Sequence, residues 1–292
     1  MTDLEAIKHF QDIQKKVKEN LGRVRHKIAV ISGKGGVGKT TFTVNLAVSL
    51  AMNGHEERVG ILDADFHGPS VPKMLGLRGH KLEAIPAGLI VPVVGPLGIR
   101  VVSTDFILPD DDTPVIWRGP LKMNAIRDFL SEIAWGELDF LLIDLPPGTG
   151  DEPLSVAQLL PDIDGVVVLT IPSQVSQLVV RKSVSFARRL NMPIIGVVEN
   201  MSGFICPNCG SKFDIFQSGG GRRIAEELKV PFLGSVPLDP RISEDSDNGK
   251  PFILEHSDSP AAKAFMDIVE KVEGFLGEGA QNVSLERGEQ VG

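Results

Sequence analysis

The residues from Gly33 to Thr40 have the types and the spacing needed to hold the phosphates of a nucleotide. They fit the pattern G-x-x-x-x-G-K-T, in which glycines let successive backbone N–H groups converge on phosphate oxygens. In this pattern Lys39 reaches the β- and γ-phosphates, and the hydroxyl of Thr40 holds Mg²⁺. The predicted nucleotide-binding residues of this segment are Gly33, Lys34, Gly35, Gly36, Val37, Gly38, Lys39, Thr40 and Thr41.

A second lysine, Lys34, directly follows the first glycine of this loop, although Lys39 already serves the nucleotide of its own chain. A cation at this position could neutralise charge on a nucleotide held by a second chain, as an arginine finger does in trans. The other interpretation is a solvated lysine on a loop. We therefore treat Lys34 as a candidate catalytic residue of a dimer.

Three aspartates follow apolar segments that are typical of buried strands. Asp63 and Asp65 come after the segment from Arg58 to Leu62, and Asp144 comes after Phe140-Leu141-Leu142-Ile143. Carboxylates at the carboxyl end of a strand, beside a phosphate site, suit magnesium binding and water positioning. We predict that Asp144 is the Walker B carboxylate, which holds magnesium through water, and that Asp63 and Asp65 are catalytic.

The segment after Asp144 reads L-P-P-G-T-G-D and is rich in proline and glycine. Such a loop could place the N–H of Gly148 on the γ-phosphate, so that the position of the loop reports hydrolysis. The alternative is a turn that merely links a strand to a helix.

Two cysteines, Cys206 and Cys209, are the only ones in the chain. Their number excludes a disulfide framework, and their C-x-x-C spacing indicates metal or redox chemistry.

The order of the predicted elements favours a phosphate site over a glycine-rich turn that binds nothing. A β-branched strand, Ile28 to Ile31, precedes the glycine loop, and a helical pattern from Thr41 to about Met52 follows it. Strands and helices alternate through the rest of the chain, which indicates an α/β fold with a mostly parallel twisted sheet and helices on both faces. Further strands are predicted at 99–102, 165–170, 194–198 and 232–235, with a hairpin piece at 89–91, and further helices at 121–133, 175–190, 221–228 and 261–275.

The chain divides into three predicted parts. Apolar residues at near-helical spacing indicate an amphipathic helix within residues 1–25, which packs on the domain or serves a membrane surface or a partner. Residues 26–275 form the nucleotide-binding domain. Residues 276–292 have little apolar content and are predicted to be disordered.

Composition narrows the possible classes of function. The 292 residues are 42% hydrophobic and 23% charged, with a net charge of −8, which is ordinary for a globular protein and unsuited to a general nucleic-acid surface. No apolar run approaches the ~20 residues that cross a bilayer, and the N-terminus is too polar for a signal peptide. We expect a cytoplasmic protein with neither a nucleic acid nor a membrane as its partner.

Five motifs, taken together, resemble a known family. They are K-G-G-V-G-K-T-T at 34–41, D-A-D-F-H-G-P-S at 63–70, D-L-P-P-G-T-G-D at 144–151, E-N-M-S at 199–202 and C-P-N-C at 206–209. In this order they closely resemble the Mrp-type iron–sulfur cluster carrier ATPases. That branch belongs to the deviant-Walker group of P-loop NTPases, with MinD, ParA and the nitrogenase iron protein.

The resemblance implies a homodimeric ATPase that holds a [4Fe–4S] cluster between its subunits and passes it to apo-proteins. It implies that Lys34 is the signature lysine, that Asp63 and Asp65 lie in switch I, and that residues 144–151 form switch II. It also implies that Asn200 contacts adenine, with Pro237 and Asp239 near the base. Many relatives carry an additional N-terminal domain or cysteine-rich extension, whereas a short cysteine-free helix precedes the loop here. Delivery to targets is therefore expected to rely on other proteins.

The number of cysteines agrees with a cluster shared between two chains. Each chain has two thiolates, so two chains supply the four that a [4Fe–4S] cluster commonly takes. A two-chain zinc site, which an aerobic preparation could show, and a thioredoxin-like redox pair remain the alternatives at Cys206 and Cys209. For the whole protein, the rival functions are a MinD- or ParA-like ATP-dependent spatial switch and a P-loop enzyme that acts on a small metabolite. A spatial switch would need a membrane anchor or a basic surface. An enzyme that acts on a small metabolite would leave the two cysteines without a role.

Overall fold

The computed structural model describes residues 3–86, 88–110, 113, 117–206 and 209–288. Most of the strands form a single sheet, and four short strands form two separate hairpins. The strands are β1 (Val24–Ser32), β2 (Val59–Asp63), β3 (Glu83–Ala84), β4 (Ile90–Val91), β5 (Val93–Val94), β6 (Arg100–Ser103), β7 (Leu138–Asp144), β8 (Gly165–Thr170), β9 (Ile194–Glu199), β10 (Phe204–Ile205), β11 (Lys212–Phe213) and β12 (Phe232–Ser235).

The helices lie between these strands and after them. They are α1 (Asp3–Asn20), α2 (Lys39–Leu50), α3 (Val71–Met74), α4 (Gly119–Ser131), α5 (Asp151–Leu159), α6 (Gln174–Arg189), α7 (Gly220–Leu228), α8 (Pro240–Asp247), α9 (Phe252–Glu255) and α10 (Pro260–Gly288).

The main sheet has eight strands in the order β12-β9-β8-β1-β7-β2-β6-β5, and its neighbours are parallel except for the edge pair β5–β6. Helices α2, α9 and α10 contribute to the core on one face, and α1, α4, α5, α6 and α7 contribute to the core on the other. Strands that are covered on both faces must be apolar along their whole length, as the buried run Ile28 to Ile31 is. The predicted α/β fold is confirmed.

The carboxyl ends of three adjacent strands are aligned at the centre of the sheet. Asp144 on β7 is the register partner of Val30 on β1 and of Asp63 on β2. The glycine loop leaves β1 at the same edge. The strand order therefore brings a phosphate loop and two carboxylates together although they are distant in sequence.

The N-terminal helix α1 packs on the domain. Val17 in the helix and Leu21 directly after it are buried, and the Asn20 side chain donates hydrogen bonds to the backbone carbonyls of Leu130 and Ile133, at 2.8 and 2.9 Å. These contacts attach α1 to α4 and to the segment that follows it. No helix in the described part of the chain is both long and apolar enough to cross a membrane.

Several boundaries differ from the prediction. Helix α10 continues to Gly288, although the sequence predicts an end near Phe275 and disorder beyond it; residues 289–292 lie outside the described ranges. The extension contains no proline, so nothing in it forces the helix to stop after Phe275. The short helices α3, α5, α8 and α9 were not predicted. Helix α8 does carry a recognisable start signal, because Asp239 is its N-cap and Pro240 its first residue.

Candidate nucleotide site and cysteine hairpin

The glycine loop connects the end of β1 to the start of α2 in a conformation that requires glycine. Gly36 and Gly38 have φ values of 75° and 78°, in the left-handed region. A Cβ atom on Gly38 would also lie 2.5 Å from Nδ2 of Asn200. Glycine at this position therefore lets the loop turn and lets the Asn200 side chain approach the backbone.

Lys39 lies in the first turn of α2, where its ammonium group is available to bind a phosphate. Its side chain is 6% exposed, and its Nζ lies 2.8 Å from Oδ1 of Asp144. Despite this ion-pair distance, Nζ makes no hydrogen bond of acceptable geometry with any of the described residues. An ammonium group donates three hydrogen bonds, so Lys39 retains donors for phosphate oxygens.

Two hydroxyl groups of α2 orient the buried carboxylate of Asp144. Thr40 Oγ1 donates to Oδ2 at 2.7 Å, and Thr43 Oγ1 donates to Oδ1 at 2.8 Å. The Thr40 hydroxyl and the Asp144 carboxylate thus supply neighbouring oxygen donors of the kind that Mg²⁺ prefers. Thr43 was missed in the sequence analysis, although its spacing of three and four residues from Thr40 and Lys39 places it on the same helix face.

Asp63 is fully buried beside this pair and is held by neutral donors. Oδ2 accepts from the hydroxyl of Ser103 at 3.1 Å and from the N–H of Val71 at 3.4 Å, and Oδ1 accepts from the N–H of Asp65 at 3.3 Å. Burial, followed by the negative charge of Asp144, raises the pKa of Asp63 to about 8. Asp63 therefore fastens the switch I loop to the sheet and, unlike Asp65, does not line the phosphate cavity.

The phosphate cavity has a volume of about 260 Å³ and is lined by Lys34, Asp65 and Pro147 in addition to the loop from Gly35 to Thr41. Within the part of the chain that the structure describes, the side chains of Lys34 and Asp65 make no hydrogen bond or ion pair. Both remain available to a nucleotide, a water molecule or a second chain.

Gly148 differs from its expected position. Its φ is 96°, and its N–H donates to the backbone carbonyl of Ser32 at 2.8 Å instead of pointing freely towards the phosphate cavity. This hydrogen bond closes the loop from 145 to 150 onto the end of β1. Switch II therefore approaches the phosphate cavity through Pro147 in this structure.

A second cavity of about 260 Å³ continues from the phosphate cavity and contains all three residues expected near the base. It is lined by Asn200, Pro237 and Asp239, and it shares Gly38, Thr41 and Met74 with the phosphate cavity. The two cavities therefore adjoin and form one cleft. The additional lining residues, which the sequence analysis did not identify, are Phe42, Met201, Leu238, Ile242, Ser243, Ser246, Asp247 and Phe265.

Hydrogen bonds fix the polar walls of this base pocket. The Asn200 side chain donates to the carbonyl of Val37 at 2.9 Å, which ties the pocket to the glycine loop. Asp239 caps α8 and pairs with Arg241, with Arg241 Nε 2.9 Å from Oδ1. Burial acts to raise the pKa of Asp239, but hydrogen bonds from Arg241 outweigh it and lower that pKa. Asp239 is therefore an ionised acceptor that is held in place.

The cysteines lie in the turn of the hairpin formed by β10 and β11. Cys206 is half-buried and Cys209 is exposed, and the N–H of Cys206 donates to the carbonyl of Ser211 at 2.9 Å. Cys209 Sγ lies 3.3 Å from Oγ of Ser211, and hydrogen bonding from Ser211, followed by Cys206, lowers the pKa of the Cys209 thiol. The described residues contain no group of three or more histidine, cysteine or acidic side chains that could hold a metal ion. One chain thus presents one exposed and one half-buried thiol, without a third ligand among those residues.

The base of this hairpin is attached to the wall of the base pocket. The N–H of Leu238 donates to the carbonyl of Gly203 at 2.8 Å, and Phe204 forms an isolated bridge with Leu238. Leu238 itself lines the base pocket. Leu238 therefore connects the base of the cysteine hairpin to the lining of the nucleotide cleft.

Comparison with known families agrees with this geometry. Residues 23–273 match the model of a family described as ParA, NUBPL iron-transfer P-loop NTPase. The chain belongs to this family of P-loop NTPases. The match confirms the resemblance drawn from the motifs and covers the sheet, the cleft and the cysteine hairpin.

Curated relatives and solved structures support this family assignment. Proteins named iron–sulfur cluster carrier protein from Saccharolobus solfataricus and Methanocaldococcus jannaschii are 56% and 54% identical, covering 90% and 89% of this chain and 88% and 89% of theirs. A nucleotide-binding protein from Archaeoglobus fulgidus, solved in complex with ADP and with cobalt, is 40% identical with a TM-score of 0.74, covering 87% of this chain and 96% of that one. MinD from Aquifex aeolicus, at 22% identity and a TM-score of 0.62 over 85% of this chain and 97% of its own, shares the fold.

Proposed function

We propose that this P-loop NTPase is an ATP-hydrolysing iron–sulfur cluster carrier that binds a [4Fe–4S] cluster between two copies of itself and passes it to apo-proteins. The observation that carries the proposal is the pair of free thiols, one exposed and one half-buried, on a hairpin that is hydrogen-bonded to the wall of the base pocket. The names of the archaeal relatives support the cargo.

The number of thiols is the reason for a dimer. Cys206 and Cys209 of two protomers, related by a two-fold axis, supply four thiolates, which is the set a [4Fe–4S] cluster commonly takes. Phe213, Ile215 and Phe216, which follow the cysteines, expose large apolar side chains. A second copy or an acceptor protein would cover this apolar surface while the cluster is held.

Hydrolysis of ATP would use the residues at the phosphate end of the cleft. A water molecule attacks the γ-phosphorus, the bond to the β–γ bridging oxygen breaks, and ADP leaves with that electron pair while the water proton passes to solvent or phosphate. Lys39 offsets charge on the β- and γ-phosphates of its own nucleotide, and Lys34 does so on the nucleotide of the partner protomer. Asp65 orients the attacking water.

Magnesium fits the oxygen donors that the site presents. The hydroxyl of Thr40 would be a direct ligand, and Asp144 would hold the ion through a water molecule. The metal would supply positive charge that offsets the negative charge of the phosphates. The chain's own contribution is to fix these donors, which the Thr43 hydroxyl does by holding Asp144 in place.

Anaerobic reconstitution tests this function. The dimer is incubated with iron and sulfide, its iron is counted and its absorption spectrum recorded, and the loaded protein is then mixed with an apo-acceptor enzyme. We expect about four iron atoms per dimer, an active acceptor, and loss of both in the Cys206→Ser, Cys209→Ser double variant. Iron that is bound equally by the double variant, or a site that takes only zinc, would contradict the proposal.

A further inference from the structure

One buried lysine outside the nucleotide cleft contacts the switch I loop and the first turn of the helix that follows switch II. Lys122, in the first turns of α4, has its Nζ 2.6 Å from Nε2 of His67 and 2.6 Å from Oε1 of Glu152. His67 lies in the switch I loop two residues after Asp65, and Glu152 is the second residue of α5, directly after switch II. A single ammonium group therefore connects the two segments.

Burial makes this connection strong and specific. The side chains of Lys122 and Glu152 are 11% and 8% exposed. Removing one partner of a buried ion pair severely destabilises the folded protein, because the other charge is left buried and unpaired. An ammonium group can only donate, so Nε2 of His67 is the acceptor in this contact. Lys122 thus fixes both the carboxylate and the imidazole.

The cluster lies at the end of the phosphate cavity that is opposite the base pocket. A side cavity of about 430 Å³ is lined by Asp65, His67, Lys122, Pro147 and Glu152, among others. It shares Asp65 and Pro147 with the phosphate cavity, whereas the base pocket shares Gly38, Thr41 and Met74. Lys122 therefore lines a cavity that adjoins the phosphate cavity at Asp65 and Pro147.

Helix α4 approaches switch II at a second point. A Cβ atom on Gly119, the first residue of α4, would lie 2.6 Å from Oδ2 of Asp151. The start of α4 is therefore packed closely against the start of α5. Helix α4 is in turn attached to α1 by the hydrogen bond from Asn20 to the carbonyl of Leu130.

We propose that Lys122 is a positioning residue for nucleotide hydrolysis, which holds His67 and Glu152 so that switch I and switch II take up one joint arrangement around the γ-phosphate. The proposal rests on the ATPase activity proposed above. Lys122 acts through Asp65 and the loop carrying Pro147 and Gly148, and it does not itself contact the nucleotide.

The test compares two buried lysines. We expect Lys122→Met to lower kcat for ATP roughly 10- to 100-fold, because small displacements of catalytic groups have effects of this size. Its affinity for a non-hydrolysable Mg-ATP analogue should stay close to that of the wild type, since the loop and the base pocket are intact. The matched control is Lys27→Met, which removes a buried lysine that lies 3.7 Å from Asp164, towards the amino-terminal end of β1. The control should lose stability and keep its kcat.

A double variant separates positioning from general stability. Lys122→Met leaves the Glu152 carboxylate buried and unpaired, and adding Glu152→Gln removes that charge. We expect the double variant to recover thermal stability but not kcat. Recovery of both would overturn the positioning role, as would a normal kcat in Lys122→Met. Wild-type protein without ATPase activity would overturn the proposed function itself, and this proposal with it.

Discussion

Asp63 and Asp144 lie side by side as register partners at the carboxyl ends of the parallel strands β2 and β7. Both carboxylates are fully buried, and Lys39 is within ion-pair distance of Asp144. The described hydrogen bonds of Asp63 come from neutral donors, the Ser103 hydroxyl and two backbone N–H groups. The two acids therefore differ in their partners. Asp144 lies beside the ammonium group of Lys39, whereas Asp63 is held by neutral hydrogen-bond donors.

The first prediction concerns the pH dependence of stability. The pKa of Asp63 is raised to about 8 in the folded protein, above its ordinary value of 3.8, by burial and then by the charge of Asp144. The folded state thus binds more protons than the unfolded state between these values, so the contribution of Asp63 to the free energy of unfolding is lost as pH rises from about 4 to about 8. In nucleotide-free protein, Asp63→Asn should remove this decline. Chemical denaturation at several pH values measures it, and parallel pH profiles for both proteins would contradict the assignment.

The second prediction separates the two lysines of the glycine loop. Lys39→Ala should abolish productive Mg-ATP binding, because it removes a buried cation that retains hydrogen-bond donors for phosphate. Lys34→Ala should bind Mg-ATP but hydrolyse it slowly or fail to form the closed dimer, because its side chain would act on the partner's nucleotide. Nucleotide titration beside turnover assays distinguishes the two. Normal hydrolysis by Lys34→Ala would rule out a role in trans.

The third prediction comes from the Thr43 hydroxyl, which donates to Asp144 inside the protein. Replacing Thr43 with valine should cost about 1–3 kcal/mol of stability, because a buried carboxylate oxygen loses a donor, and should weaken magnesium-dependent nucleotide binding. Ser49→Ala is the matched control, since it removes another buried hydroxyl of α2 that bonds only to the carbonyl of Asn45 within the described residues. If both variants change magnesium dependence equally, Thr43 has no specific role in holding Asp144.

The fourth prediction concerns coupling between the cluster and the nucleotide. Because Leu238 contacts the hairpin base and also lines the base pocket, cluster occupancy should change nucleotide affinity, typically by ~1–3 kcal/mol. ATP affinity is measured anaerobically for cluster-loaded and cluster-free protein at a fixed dimer concentration. The Cys206→Ser, Cys209→Ser variant should fold and bind Mg-ATP as the cluster-free protein does. Equal affinities in the loaded and empty wild type would make the hairpin a passive docking site.

Local patterns in the sequence were sufficient to predict most of the fold. Strands buried on both faces must be continuously apolar, and this pattern predicts β8 with the bounds that the structure has. The glycine spacing predicts the phosphate loop because only glycine adopts the φ of 75° and 78° at Gly36 and Gly38 without strain. The resemblance to a family, rather than any local pattern, indicated Asn200, Pro237 and Asp239. The end of α10 was mispredicted because low apolar content was taken to mean disorder, although no proline after Phe275 stops the helix.

Contacts between distant segments were decided by the tertiary structure alone. The hydrogen bond from Gly148 to Ser32 and the contacts of Lys122 with His67 and Glu152 join residues from different elements. They depend on which strands are neighbours, and neither periodicity nor motif spacing encodes that order. The sequence by itself determined that this chain binds phosphate through a glycine loop and carries a pair of thiols. Only the packing of β7 between β1 and β2, and of α4 against both switches, decided which side chains hold that chemistry in place.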